Sequence, residues 1–245
     1  MTIEIVFFIA IGAGFAGFVN GLAGFGTSLF ALGWWLQVMP PAEAVALSLA
    51  ISVLSGVQGV LLIRRSIEPY RLARFLLPSL AGIPIGLSLL DRIDADWLTL
   101  LIAGFLLVYG AFFSFRRRLP TLDRSTPILD GLIGFLSGVL GALAGLSGAL
   151  PTVWLSLRAW PKATVRAILQ PFNMVVLGLA AGLLAMQGAY TAEVFLALLI
   201  ATPIALASAQ LGIALFKRLN DADFRRLLIF LMFASGAALL LRSVL

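Results

Sequence analysis

The stretch Asn20-Gly21-Leu22-Ala23-Gly24-Phe25-Gly26-Thr27-Ser28 places three glycines in six residues inside an apolar run. It recurs. At a spacing of 121 positions (Gly24 to Gly145) it falls on Gly141-Ala142-Leu143-Ala144-Gly145-Leu146-Ser147-Gly148-Ala149. At the same spacing Gly17 falls on Gly138, Pro40 on Pro161, Ala42 on Ala163 and Ala46 on Ala167. Helix-breaking residues repeated at one offset in both halves of an apolar chain specify a duplicated membrane protein, interrupted at matching places.

Composition supports the membrane class. Of the 245 residues 61% are hydrophobic and 11% charged, with a mean hydropathy of +1.08, whereas soluble domains carry about 25% charged residues. The apolar runs are continuous and helix-length, not the alternating ten-residue strands of a membrane barrel. The chain has no cysteine and no histidine, which removes thiolate chemistry, the commonest metal ligand and the near-neutral proton shuttle. Met1-Thr2-Ile3-Glu4 leads into the first run without a basic segment, so no cleaved signal peptide is expected.

The predicted plan has a first repeat over residues 1–115, a basic cytoplasmic linker over 116–126 and a second repeat over 127–245. Ile5–Met39 is a long run broken near Gly24 and closed by Pro40-Pro41, since proline lacks a backbone donor. Ala42–Ile63, Leu72–Leu90 and Trp97–Phe115 follow as spans. The second half repeats this with Pro127–Leu157, Ala163–Met186, Ala192–Phe216 and Phe224–Leu241.

Flanking charge decides the orientation of the halves. If each long run crosses once, nine basic residues face one side and eight the other. If each run turns back at its glycines, only Arg92 and Arg242 stay on the N-terminal side and the other fifteen Lys and Arg share the opposite side. The second count is the asymmetry the positive-inside rule requires. The expected fold is therefore an all-α polytopic membrane protein of two inverted-topology repeats, each a glycine-broken hairpin followed by three transmembrane helices. Both termini are expected to be periplasmic.

Hairpins entering from opposite faces can bring their tips together. Unpaired amides at helix N-termini favour anions. Gly24, Gly26, Thr27 and Ser28 on one tip, with Ser147 and Gly148 on the other, are the candidate binding residues; the alternative is that these small residues serve close helix packing. Ser48, Ser52 and Ser55 share one helix face, and Ser52 falls on Asn173 at the repeat spacing. Ser48, Ser52, Gln170 and Asn173 are expected to line the site, against an alternative of inter-helix hydrogen bonding. Arg166, four residues before Gln170, would draw anions from the cytoplasmic mouth; otherwise it is an interfacial arginine that snorkels. Asn20 is read as tying down the first tip, and Gln58 and Gln210 as weaker candidates. Glu43, Asp91, Asp94, Asp96, Glu193, Asp221 and Asp223 lie near span ends, so no carboxylate relay is visible. Nor is there a nucleophile–base pair, a metal cluster or a P-loop; no enzyme activity and no cofactor are expected.

These residues resemble the sulfite exporter TauE/SafE family over nearly the whole chain. The marks are Gly21-Leu22-Ala23-Gly24-Phe25-Gly26, then Pro40-Pro41-Ala42-Glu43-Ala44-Val45-Ala46-Leu47-Ser48, then Gly138 and Gly141 to Gly148 with Pro151. The first motif departs from the family at Phe25, Thr27 and Ser28, with Phe30 where a proline would match Pro151, and Lys162 to Arg166 sits where a more neutral segment is common. The resemblance implies transport, in the export direction, of small anions such as sulfite or organosulfonates like sulfoacetate across the bacterial inner membrane. The expected partners are a small anionic substrate and membrane lipids, with no nucleic acid; Trp34, Trp35, Phe112 and Phe113 are available to face lipid or a second copy in a homo-oligomer. The competing reading is a membrane-embedded scaffold or assembly protein without transport.

Overall fold

The structure, a computed structural model, describes residues 2–90, 122, 125–158 and 160–244, with 104, 107 and 111 as isolated positions. The expected span at Trp97–Phe115 and most of the linker lie outside the described residues. The described elements are helices: α1 Ile3–Ala23, α2 Thr27–Trp35, α3 Pro41–Ile63, α4 Pro69–Leu90, α5 Pro127–Ala144, α6 Ala149–Ser156, α7 Lys162–Met186, α8 Ala192–Arg218 and α9 Asp221–Val244, with a short 3₁₀ turn at Arg64–Ser66. Five of them, α1, α3, α4, α7 and α8, are long and apolar enough to cross a membrane.

Local chemistry sets the bounds. Thr2 Oγ1 accepts from the Ile5 amide and starts α1. Gly24, with φ +85°, ends α1 and returns its N–H to Asn20 O. Gly145, with φ +68°, ends α5 in the same way through Gly141 O. Both are left-handed conformations that an L side chain disfavours by about 1–2 kcal/mol. Proline opens α3 and immediately precedes α7, where the missing N–H costs no helical bond. Thr191 caps α8, and Lys217 and Arg218 complement the dipole at its end.

At each glycine break the chain turns back on itself. The indole N–H of Trp35, at the end of α2, donates to Ile9 O at 3.2 Å, and its ring occupies the space a Gly12 side chain would take. Trp34 stacks on Phe15 with centroids 6.0 Å apart. Trp35 is therefore fully buried, which corrects the expectation that it faces lipid or a partner. In the second hairpin Trp154 donates to Asp130 Oδ1 at 2.7 Å. Asp130 also receives Arg158 at 3.2 Å and lies 3.6 Å from Arg74 of α4. Ile9 and Asp130 are equivalent at the repeat spacing, so one hairpin is tied by an indole–carbonyl bond and the other by a buried ion cluster.

Each hairpin packs on a helix from the other half of the chain. Gly17 and Gly21 of α1 lie on the backbone of Ala205 and Ala209 of α8. Gly134 and Gly138 of α5 lie on the backbone of Phe75 and Ser79 of α4. Small residues at these positions let backbones approach to contact, the main source of helix association where water supplies no driving force. The central helices α3 and α7 run antiparallel: Gly59 meets Gln170, Gly56 meets Met174 and Val53 meets Gly178. This path gathers Arg71, Arg74, Arg158, Lys162 and Arg225 at one end, where Lys162 bonds Phe216 O, Leu219 O and Asp221, and Arg225 bonds Arg158 O. Thr191–Glu43 and Tyr190–Ala46 contacts mark the other end.

Candidate functional site

The two glycine tips meet. A Cβ on Gly145 would overlap Ser28 Oγ and lie 3.1 Å from Ser28 Cβ, and one on Gly148 would lie 2.5 Å from Phe25 Cβ. Gly26 has φ +93° and needs glycine for its conformation. Gly148 has φ −82°, so only its tight surroundings exclude a side chain.

Asn173 joins the tips. Its Nδ2 donates to Gly24 O at 2.9 Å and its Oδ1 accepts from Ser147 Oγ at 2.6 Å. A second chain of bonds runs along α7. Arg166 Nη1 donates to Leu22 O at 3.2 Å, and Nη2 donates to Gln170 Oε1 at 3.4 Å. Gln170 Nε2 donates to Asn20 Oδ1 at 3.2 Å, and Asn20 Nδ2 donates to Ser55 Oγ and Ser52 O. Ser48 donates to Val45 O, which leaves Ser28 to donate to Ser48 Oγ at 3.0 Å.

Between the tips lies a cavity with room for about one water molecule. Its polar wall is Asn20, Gly26, Thr27, Ser52, Gln170 and Asn173; its apolar wall includes Phe25, Leu29, Leu146 and Met174. Thr27 Oγ1 and Ser52 Oγ are buried in this wall and have no hydrogen-bond partner. A helical serine or threonine ordinarily bonds back to its own helix, so two that do not, on residues that line one small space, stand out as groups free to take a further partner. The N-termini of α2 and α6 also reach the cavity, through Thr27 and Ala149, and neither has a side-chain cap or an acidic residue in its first turn. Their amides give the space a positive potential.

Of the residues singled out in the sequence, Gly26, Thr27, Ser52, Gly148, Gln170 and Asn173 line the cavity. Gly24, Ser28, Ser48, Ser147 and Arg166 stand behind them and hold them. Arg166 does not snorkel. It is fully buried, turned toward the first tip, with its guanidinium 4.4 Å from the Phe216 ring centroid. Gln58 and Gln210 bond to each other instead of reaching the site. Asn20 is more than a tie for its own tip, because it lines the cavity and links α1 to α3 and α7. Asp130 has a single sign in the sequence, an acid at the fourth position of an apolar run. Among the described residues no three His, Cys, Asp or Glu side chains gather to hold a metal ion.

The family profile described as sulfite exporter TauE/SafE matches residues 9–239. No curated protein matches the chain.

Proposed function

The chain belongs to the sulfite exporter TauE/SafE family of membrane transporters, and on that premise we propose that it moves small sulfur-containing anions, such as sulfite or organosulfonates, through the cavity between its glycine tips. The observation that carries this reading is the pair of unpartnered hydroxyls, Thr27 Oγ1 and Ser52 Oγ, on residues lining a space that two uncapped helix N-termini make positive. Ser52 is the twelfth of 23 residues in α3, and Asn173 the twelfth of 25 in α7. If these helices span the bilayer, the site lies at its midplane, where transporters of inverted repeats bind their substrates.

In this reading residues 1–115 and 127–245 are two repeats inserted with opposite orientation, joined by a cytoplasmic linker at 116–126. The antiparallel α3 and α7 and the gathering of basic residues at one end support it. The basic end is cytoplasmic and both termini are periplasmic. A reporter fused after Leu245 is expected to be active only in the periplasm; cytoplasmic activity overturns the topology. The cavity holds less than a four-atom oxyanion, so transport requires the tips to part toward one face and then the other.

Thr27→Val and Ser52→Ala remove hydroxyls that make no bond in the protein. Stability is expected to stay within about 0.5 kcal/mol, while anion affinity falls about tenfold for each hydroxyl lost from the bound anion. Chemical unfolding in detergent and flux into proteoliposomes with sulfite, sulfoacetate, taurine and sulfate measure both. If none of these anions moves, the transport reading fails and the scaffold reading, in which the polar residues only join helices, takes its place.

A further inference from the structure

Arg166 is a buried cation without an anionic partner among the described residues. Its bonds go to neutral acceptors, Leu22 O and Gln170 Oε1, its guanidinium faces the Phe216 ring, and its Nε has no partner. None of the ion pairs among the described residues includes it. Arg158, almost as buried, shows the usual arrangement, with the Asp130 carboxylate at 3.2 Å. A charge shut away from water is costly unless it is matched, and the Arg166 guanidinium is linked through its hydrogen bond to Gln170 to the cavity that Gln170 lines.

We infer that the protein is an obligate exchanger of singly charged anions, with Arg166 as the fixed charge that enforces exchange. The inference rests on the transport reading above. To pass between its two open forms the carrier must close the site off at both faces, which leaves Arg166 fully dry. With a singly charged anion beside it the closed site is close to neutral. With nothing bound, the closed site holds a lone cation; with a doubly charged anion it holds a net negative charge. Both of these reorient slowly, because the charge hydration lost on closing is not recovered. An anion carried one way must therefore be followed by another carried back. Gln170 lies between guanidinium and cavity and passes the interaction on: its Oε1 accepts from Arg166, its Nε2 donates to Asn20 Oδ1, and both Gln170 and Asn20 line the cavity.

The test uses purified full-length protein in proteoliposomes and two anions of similar size and different charge, methanesulfonate and sulfate. Uptake of radiolabelled methanesulfonate is expected to be at least about tenfold faster into vesicles preloaded with methanesulfonate than into vesicles without a transportable anion, with no stimulation by preloaded sulfate. In Arg166→Gln the closed empty site is no longer charged, so the ratio of preloaded to unloaded uptake should fall toward one even as binding weakens. A purely structural role for Arg166 would lower both rates and leave their ratio unchanged. Equal uptake into preloaded and unloaded vesicles by the unmodified protein overturns the inference, and so does stimulation by sulfate equal to that by methanesulfonate. Loss of all uptake of methanesulfonate and sulfite, whatever the loading, overturns the transport reading itself and this inference with it.

Discussion

Gly145→Val is expected to abolish transport and to destabilise the protein by about 3 kcal/mol or more. Two independent costs meet at this position. The backbone sits at φ +68°, where a side chain is strained and a β-branched one more so. The new Cβ would also overlap Ser28 Oγ and press on Ser28 Cβ and Leu49 at 3.1 and 3.3 Å. Ser28 cannot simply swing aside, because it is held by Ser48 and lies at the start of α2. Relief requires the two tips to separate, which opens the cavity wall they share. Gly182→Ala is the control: Gly182 lies inside an apolar helix, with ordinary helical backbone and nothing within 4 Å of its Cβ position. There the exchange should be neutral or stabilising by up to about 1 kcal/mol. Unfolding midpoints of the two variants in detergent, with flux measured in vesicles, test the contrast. Equal behaviour would mean the tips do not meet as described.

Asp130→Leu should be comparably damaging, at about 3 kcal/mol. Asp130 is 3% exposed and receives Arg158, Trp154 and Thr126 while lying 3.6 Å from Arg74. It thereby fastens the end of α6 to the start of α5 and to α4. Its loss leaves the two arginines close together without the carboxylate between them. The equivalent position in the first hairpin is Ile9, which contributes only its carbonyl to Trp35. The prediction is thus specific to one repeat: Ile9→Leu should change stability by less than about 1.5 kcal/mol. The double variant Asp130→Leu with Arg158→Leu should recover part of the loss, since an apolar pair often replaces a buried ion pair at little cost. If the double variant is worse than the single one, the ion cluster is not what closes the second hairpin.

Much of the fold can be read from short stretches. Gly24 and Gly145 end their helices because each needs a left-handed backbone, and Pro40 and Pro161 fall just before α3 and α7 as helix-start proline does. Predicted and observed helix bounds for α3, α4, α7 and α8 agree to within about three residues, as these signals allow. The candidate site was legible as a region and not as a set of contacts. The serine face of α3 looked uniform, yet only Ser52 of it reaches the cavity; Ser48 is spent on Ser28 and Val45, and Ser55 on Asn20 and Ile51. Charge was harder still. Arg166 reads in sequence either as a residue drawing anions to the site or as an interfacial arginine, and Asp130 as a helix-start acid, because burial of a charge depends on what packs over it.

The sequence by itself determined that this chain is a helical membrane protein, where its helices break, and which family it joins. Those properties follow from apolar run length, backbone freedom and repeated spacing, all carried by residues close together in the chain. Only the tertiary structure decided which polar groups meet. Asn173 reaches Gly24 across 149 positions, and Arg166 reaches Leu22 across 144. Such pairs form because α3 and α7 cross antiparallel and each hairpin packs on a helix from the other half of the chain. The unpartnered Thr27 and Ser52 hydroxyls and the uncompensated Arg166 are products of that crossing, since whether a buried polar group is satisfied is fixed by its neighbours in space.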